Sequence, residues 1–191
     1  IQFEHSRYAW DEGEQWCQSG LKAAELLPQD PEIYLVQLDL LQYSAYGFYS
    51  IGEYERAIDR YEKADGLARK LKVPSIRLVN ICSYLAQSYD YIGQVDKSLI
   101  LYEQAIDLLK ESGVAFGEAH LQLHASYAYA KSREGETEQA VRTYRSLLQE
   151  SSKVSVTDEL RRVLAEIHIL LGVALGNSGK FAESSSAYKK G

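Results

Sequence analysis

Several residue types are scarce in this chain of 191 residues. It has no methionine, three prolines and only two cysteines, Cys17 and Cys82. Two isolated cysteines form neither a disulfide framework nor a CxxC motif, and neither of the two asparagines begins an N-x-Ser/Thr sequon. These absences predict a reducing, cytoplasmic setting.

Basic residues and long apolar runs are also missing. Lys and Arg number 21 against 27 Asp and Glu, a formal charge of −6. Without a basic run, this balance argues against a nucleic-acid backbone as the main partner. The uncharged stretches reach only 13 residues, whereas a membrane helix needs about 20. The chain opens on neither a methionine nor a signal peptide, so we expect its ends to be the boundaries of a fragment.

The uncharged stretches recur along the chain with a period of about forty residues, which is typical of a repeat array. They begin at Leu40, Leu78, Ala119 and Ile167. Charged segments between them carry apolar residues at steps of three and four, the pattern of an amphipathic helix. No useful strand alternation occurs, so the sequence predicts an all-α array of helix pairs.

Glycine, tyrosine and small residues recur in register within this array. The predicted turn glycines are Gly52, Gly93, Gly135 and Gly179. Nine residues later stand Tyr61, Tyr102, Tyr144 and Tyr188, and seven residues earlier stand Ala45, Ala86, Ala128 and Gly172. Glycine permits a positive φ at the turn, small residues let paired helices approach, and the tyrosine ring fills the gap toward the next pair.

This pattern resembles the tetratricopeptide repeat family, including the aromatic residue two positions after the turn (Tyr54, Phe181). The glycine spacings of 41, 42 and 44 residues indicate a long-repeat form. The resemblance implies a right-handed α-solenoid of antiparallel helix pairs in one domain, 1–191. Its predicted parts are a degenerate or partial unit at 1–29, repeats at about 30–73, 74–113 and 114–152, and a partial last repeat at 153–191.

Chemical motifs are weak throughout. His120 and His124 lie one helical turn apart, a spacing that ligates zinc only with a third ligand. Neither cysteine has a helix N-terminus or basic cluster to activate it. Phosphate-binding glycine loops and a nucleophile elbow are absent from the sequence. We therefore expect no enzyme activity, no metal and no cofactor.

The resemblance also implies a concave groove lined by the first helix of each pair. Carried over from the turn glycines, the groove-facing positions of the first unit are Asp39, Gln42, Tyr46, Tyr49 and Ser50. Those of the second are Asn80, Ser83, Gln87, Asp90 and Tyr91. Those of the third are Gln122, Ala125, Tyr129, Ser132 and Arg133.

Tyrosines, amides and hydroxyls dominate this predicted wall. Tyrosine provides rigid contact area, and amides bond both N–H and C=O groups of an extended chain, so a peptide or partner helix is the expected ligand. The alternative is that several of these tyrosines pack against adjacent repeat units and do not contact a ligand. The wall differs from the family's carboxylate clamp, since only Arg133 and Asn80 match that site.

Two functions remain open at this point. The favoured one is a non-catalytic protein-interaction scaffold that binds a peptide segment or partner helix in the groove. The alternative is a ligand- or peptide-sensing regulatory domain of a larger multidomain signalling protein or transcription regulator. A homodimer through an exposed end face is a third arrangement.

Overall fold

The computed structural model describes residues 2–28, 30–155 and 157–191. In this described part the chain forms nine helices and no strand. The helices are α1 (Gln2–Glu25), α2 (Pro31–Ser50), α3 (Tyr54–Leu71), α4 (Ser75–Tyr91), α5 (Val95–Glu111), α6 (Glu118–Arg133), α7 (Thr137–Ser151), α8 (Asp158–Asn177) and α9 (Phe181–Tyr188). The prediction of an all-α fold is confirmed.

Two compact units divide the chain, unit 1 at Ile1–Leu108 and unit 2 at Leu109–Gly191, and the division falls within α5. Each unit has its own hydrophobic core. In unit 1 the core lies between α2, α3 and α4 and includes Phe48, Ile81 and Leu85. In unit 2 it lies between α6, α7, α8 and α9 and includes Leu121 and Ile167.

The predicted turn glycines all adopt a left-handed backbone. Their φ values are +79°, +79°, +97° and +73° at Gly52, Gly93, Gly135 and Gly179, respectively. A residue with a Cβ atom is disfavoured at such angles, so glycine suits the tight turn between paired helices. The turns inside the helix pairs therefore lie where the sequence places them.

Small residues and tyrosines pack as their register predicts. Ala45, Ala86 and Ala128 are buried, as are the rings of Tyr61 and Tyr102. At the equivalent positions of the last pair, a Cβ atom on Gly172 would lie 2.9 Å from the ring of Tyr188. A small residue at this position therefore lets the two helices of a pair approach.

Two helices begin with a side-chain cap. Asp30 Oδ1 accepts a hydrogen bond from Ile33 N at 2.9 Å, and Pro31 opens α2. Thr157 Oγ1 accepts one from Leu160 N at 3.1 Å at the start of α8. Each side chain satisfies a backbone donor that has no partner within its own helix.

The first helix, α1, continues through a glycine without a turn. Glu12-Gly13-Glu14 is similar in sequence to the later turns, but Gly13 lies within the continuous helix α1. Trp10 and Glu14, four residues apart on one face, both pack on the next pair. The Trp10 ring meets Phe48 edge to face at 5.7 Å, and buried Glu14 accepts hydrogen bonds from Ser44 and Arg60. These tertiary contacts explain why the helix runs through Gly13.

Candidate functional site

The predicted site residues of unit 1 lie on α2 and α4, the first helices of two successive pairs. Tyr46 and Tyr91 are the most exposed large side chains among them, at 51% and 56%. Asn80 is also exposed. The half-buried members are Gln42, Tyr49, Ser83 and Gln87, and Asp90 is buried.

Six tyrosines of unit 1 form a continuous tyrosine cluster, which consists of Tyr46, Tyr49, Tyr54, Tyr61, Tyr84 and Tyr91. Tyr54 and Tyr91 stack with ring centroids 4.4 Å apart. Tyr46 meets Tyr84 edge to face at 5.4 Å, and Tyr61 is parallel to Tyr84 at 5.9 Å. Such packing holds the rings in one arrangement, so the exposed members present a rigid aromatic surface.

Tyr49 connects the two helices rather than facing solvent freely. Its hydroxyl donates a hydrogen bond to Gln87 Oε1 at 2.7 Å, joining α2 to α4. Burial, and then the nearby Tyr91, hold the pKa of Tyr49 far above its usual value. The hydroxyl therefore stays protonated and available as a donor at neutral pH.

A cavity of about 330 Å³ opens between α2, α3 and α4. It contains three predicted site residues, Gln42, Tyr46 and Asn80, together with the predicted groove position Asp39. Its other lining residues are Tyr43, Tyr61, Arg77 and Tyr84. We call this space the tyrosine cavity, because four of its eight lining residues are tyrosines.

Charged groups at the cavity are already paired. The guanidinium of Arg77 donates from Nε to Gln42 Oε1 at 2.8 Å and from a terminal nitrogen to Asp39. Arg77 thus bridges α4 and α2 beside the tyrosine cavity. The pairing leaves the cavity close to electrically neutral and aromatic in character.

The sequence analysis missed Tyr43, Tyr84 and Arg77. A signal for two of them was present, because Tyr43 and Tyr84 each stand nine residues before a turn glycine. That position is occupied by Ser126 and Leu170 in the later pairs, so the tyrosines do not repeat through the whole chain. Arg77 lies in the first turn of α4 and has no register signal.

In unit 2 the predicted site residues lie on α6. Gln122, Tyr129 and Arg133 are all exposed there. The buried hydroxyl of Tyr144 has no hydrogen-bond partner among the described residues. Its pKa is raised, first by burial and then by Tyr129 and Glu166.

Cys82 has a more polar environment than the sequence suggests. Its Sγ lies 3.7 Å from Arg69 Nη2 and 3.7 Å from Asp65 Oδ1. One basic residue, Arg69, therefore lies beside this thiol, together with one acid, Asp65. Burial, with Asp65 next, nevertheless raises the pKa of Cys82 to about 12, so the thiol is not an activated nucleophile.

The histidine pair of α6 packs without a metal cluster. His120 lies 5.5 Å from the ring of Phe116, and burial lowers the pKa of both His120 and His124. Across residues 2–28, 30–155 and 157–191, no group of three His, Cys, Asp or Glu side chains is placed to hold a metal ion. Within the same ranges no helix is long and apolar enough to cross a membrane.

Comparison with known proteins relates the chain to solved helical-repeat structures. BtubC from P. vanneervenii has a TM-score of 0.78 at 15% identity and matches 95% of this chain and 71% of its own. The TPR-like repeats of a putative kinesin light chain from Podosopora anserina give 0.64 at 16% identity, over 99% of this chain and 90% of theirs. MamA has a TM-score of 0.62 at 15% identity, and the match covers 98% of this chain and 89% of the MamA chain.

These identities are low, so the likeness concerns the fold. No protein-family model and no curated protein sequence matches the chain. The prediction of a TPR-like, all-α repeat fold is confirmed. The predicted repeat bounds and groove residues stay predictions.

Proposed function

We propose that the chain is a non-catalytic protein-interaction scaffold that binds an extended peptide segment or a partner helix on the α2–α4 surface of unit 1. The tyrosine cavity carries this proposal, because it combines exposed aromatic rings with a few polar groups in a concave space. Its volume of about 330 Å³ falls in the range of about 300–1,000 Å³ of known ligand sites.

The side chains around the cavity suit a polypeptide ligand. Rings in a packed cluster lose little conformational entropy on binding, and they provide large apolar contact area. Asn80 is exposed, and an amide can bond both the N–H and the C=O groups of an extended chain. Ser83 contributes less, since its hydroxyl already donates to Val79 O at 2.7 Å.

The same surface offers little for catalysis. Its acid, Asp39, is paired with Arg77, and the thiol of Cys82 on α4 is buried and protonated. Nothing at the cavity combines a nucleophile with a general base, as covalent catalysis requires. We also propose a cytoplasmic setting, which rests on the scarcity of cysteine.

Selection from a random peptide display library tests the proposal with the intact chain as bait. We expect the selected peptides to lose affinity by about 1–3 kcal/mol with Tyr46→Ala or Tyr91→Ala, since exposed aromatic anchors dominate such contacts. Phe181→Ala is the matched control, because Phe181 is an exposed aromatic residue (74%) on α9. Equal affinities for all three variants and the parent chain would overturn the proposal.

A further inference from the structure

The tyrosine cavity has the dimensions of a pocket for one large side chain. Buried Tyr61, with an exposed fraction of 2%, forms its floor, and Tyr46 and Tyr84 meet at nearly a right angle on its walls. Tyr43, which is 71% exposed, stands at the rim. A guest would therefore contact the faces and edges of several aromatic rings.

Tyr61 also brings a hydroxyl group to this floor. Its ring stacks on that of Tyr84 with centroids 5.9 Å apart, which holds the ring in one orientation. A phenolic hydroxyl can both donate and accept hydrogen bonds. Tyr61 thus gives the cavity a hydrogen-bond acceptor beside its aromatic rings.

The electrostatics of the cavity favour a cationic guest. The one basic residue in its lining, Arg77, already donates hydrogen bonds to Gln42 and Asp39. The lining therefore has no unpaired cation for an anionic ligand. The faces of aromatic rings attract cations. Unit 1 as a whole has ten Lys and Arg against seventeen Asp and Glu, a formal charge of −7, whereas unit 2 has eleven against ten.

We propose that the tyrosine cavity binds a basic side chain, arginine or lysine, of the segment held on the α2–α4 surface. This inference rests on the proposed function, because it names the residue that the same surface recognises. The cation lies against the rings of Tyr46 and Tyr84, and one of its N–H groups donates to the Tyr61 hydroxyl. Neutral and acidic side chains lack this combination of charge and donor.

Capped single amino acids test the inference without any peptide partner. The intact chain, labelled with ¹³C in its tyrosine rings, is titrated at constant ionic strength with N-acetyl-arginine amide, N-acetyl-lysine amide and the neutral isostere N-acetyl-citrulline amide. We expect saturable shifts of the Tyr46, Tyr61 and Tyr84 resonances, with arginine or lysine binding about fivefold or more tightly than citrulline. The two basic compounds show which cation fits better.

A pair of matched variants tests the role of the hydroxyl. Tyr61→Phe keeps the ring and should weaken binding of the basic compound about tenfold, since it removes a hydrogen bond to a charged group. Tyr144→Phe removes the hydroxyl at the same register position of unit 2 and should leave binding unchanged. An unaltered amide spectrum for each variant shows that the fold is kept.

The outcomes separate this inference from the proposed function. Equal affinity for arginine and citrulline, or no binding of either basic compound, overturns the cation pocket even when peptides are selected that depend on Tyr46 and Tyr91. Equal effects of Tyr61→Phe and Tyr144→Phe overturn it as well. Tight binding of a basic compound in a chain that selects no peptide supports the pocket and contradicts the scaffold proposal.

Discussion

At the residue scale, Gly47 shows how one missing side chain allows α1 to pack. A Cβ atom built on Gly47 would lie 1.7 Å from Cη2 of Trp10, whose ring packs on Phe48. A displacement of the whole indole ring is the only way to admit a methyl group there. By contrast, a Cβ atom built on Gly66, an exposed residue of α3, would have no neighbouring atom within 4 Å.

We predict that Gly47→Ala lowers the free energy of unfolding by about 1–3 kcal/mol through overpacking. Gly66→Ala should raise it by about 0.5–1 kcal/mol, because alanine is the better helix former. Urea unfolding followed by far-UV circular dichroism measures both. Similar changes for the two variants would contradict the packing of Trp10 over Gly47.

Cys82 provides a pH test at the same scale. Burial, followed by Asp65, raises its pKa to about 12, whereas an ordinary thiol titrates near 8.5. Since the folded chain disfavours the thiolate, this residue's contribution to stability is complete below about pH 8.5 and is lost as the pH rises toward 12.

We predict that the ¹³Cβ resonance of Cys82, followed in a Cys17→Ser background, titrates with a midpoint of about 12, the value of the raised pKa. The same resonance in urea should titrate near 8.5. Adding Asp65→Asn should lower the folded midpoint, because Arg69 then acts unopposed. A folded midpoint close to 8.5 would contradict the contacts of Cys82.

The sequence predicts individual residues well where backbone conformation or register requires them. Gly52 and Gly93 are examples, because a positive φ at a turn favours one residue type. Register arguments fail where a contact depends on distant parts of the chain. Arg77 reaches Asp39 across 38 residues, and Arg69 lies beside Cys82 only because α3 and α4 pack together.

At the scale of elements, the helix starts follow from local chemistry. Thr157 caps α8 through its hydroxyl. The acidic residues Asp158 and Glu159 lie in the first turn, where their negative charges interact favourably with the positive end of the helix dipole. These features are readable in the sequence because they depend on residues within one turn. The extent of α1 is not local, since it depends on contacts of Trp10 and Glu14 with α2 and α3.

We predict that Thr157→Ala lowers the free energy of unfolding by about 1 kcal/mol and speeds hydrogen exchange at the Leu160 amide. The neighbouring variant Ser155→Ala should change neither quantity, because Ser155 is exposed and precedes the cap. Denaturant unfolding and amide exchange by NMR provide the two measurements. An unchanged Leu160 exchange rate in Thr157→Ala would contradict the cap.

At the scale of the whole molecule, two units of one fold differ in surface chemistry. Both are built from helix pairs with a turn glycine, a small residue and a tyrosine. Unit 1 alone carries the tyrosine cluster and all of the excess negative charge. The shared register is visible in the sequence, whereas the cavity emerges only when Tyr43, Tyr61 and Tyr84 from three helices come together.

Site-specific photocrosslinking tests the central claim, that a polypeptide segment binds on the α2–α4 surface of unit 1. Benzoylphenylalanine replaces Tyr43 at the rim of the tyrosine cavity or, as a control, Ile100, an exposed residue of α5. A display-selected peptide is then irradiated with each protein. We predict a covalent adduct from position 43 and none from position 100; adducts from position 100 alone, or equal yields from both, would contradict the account.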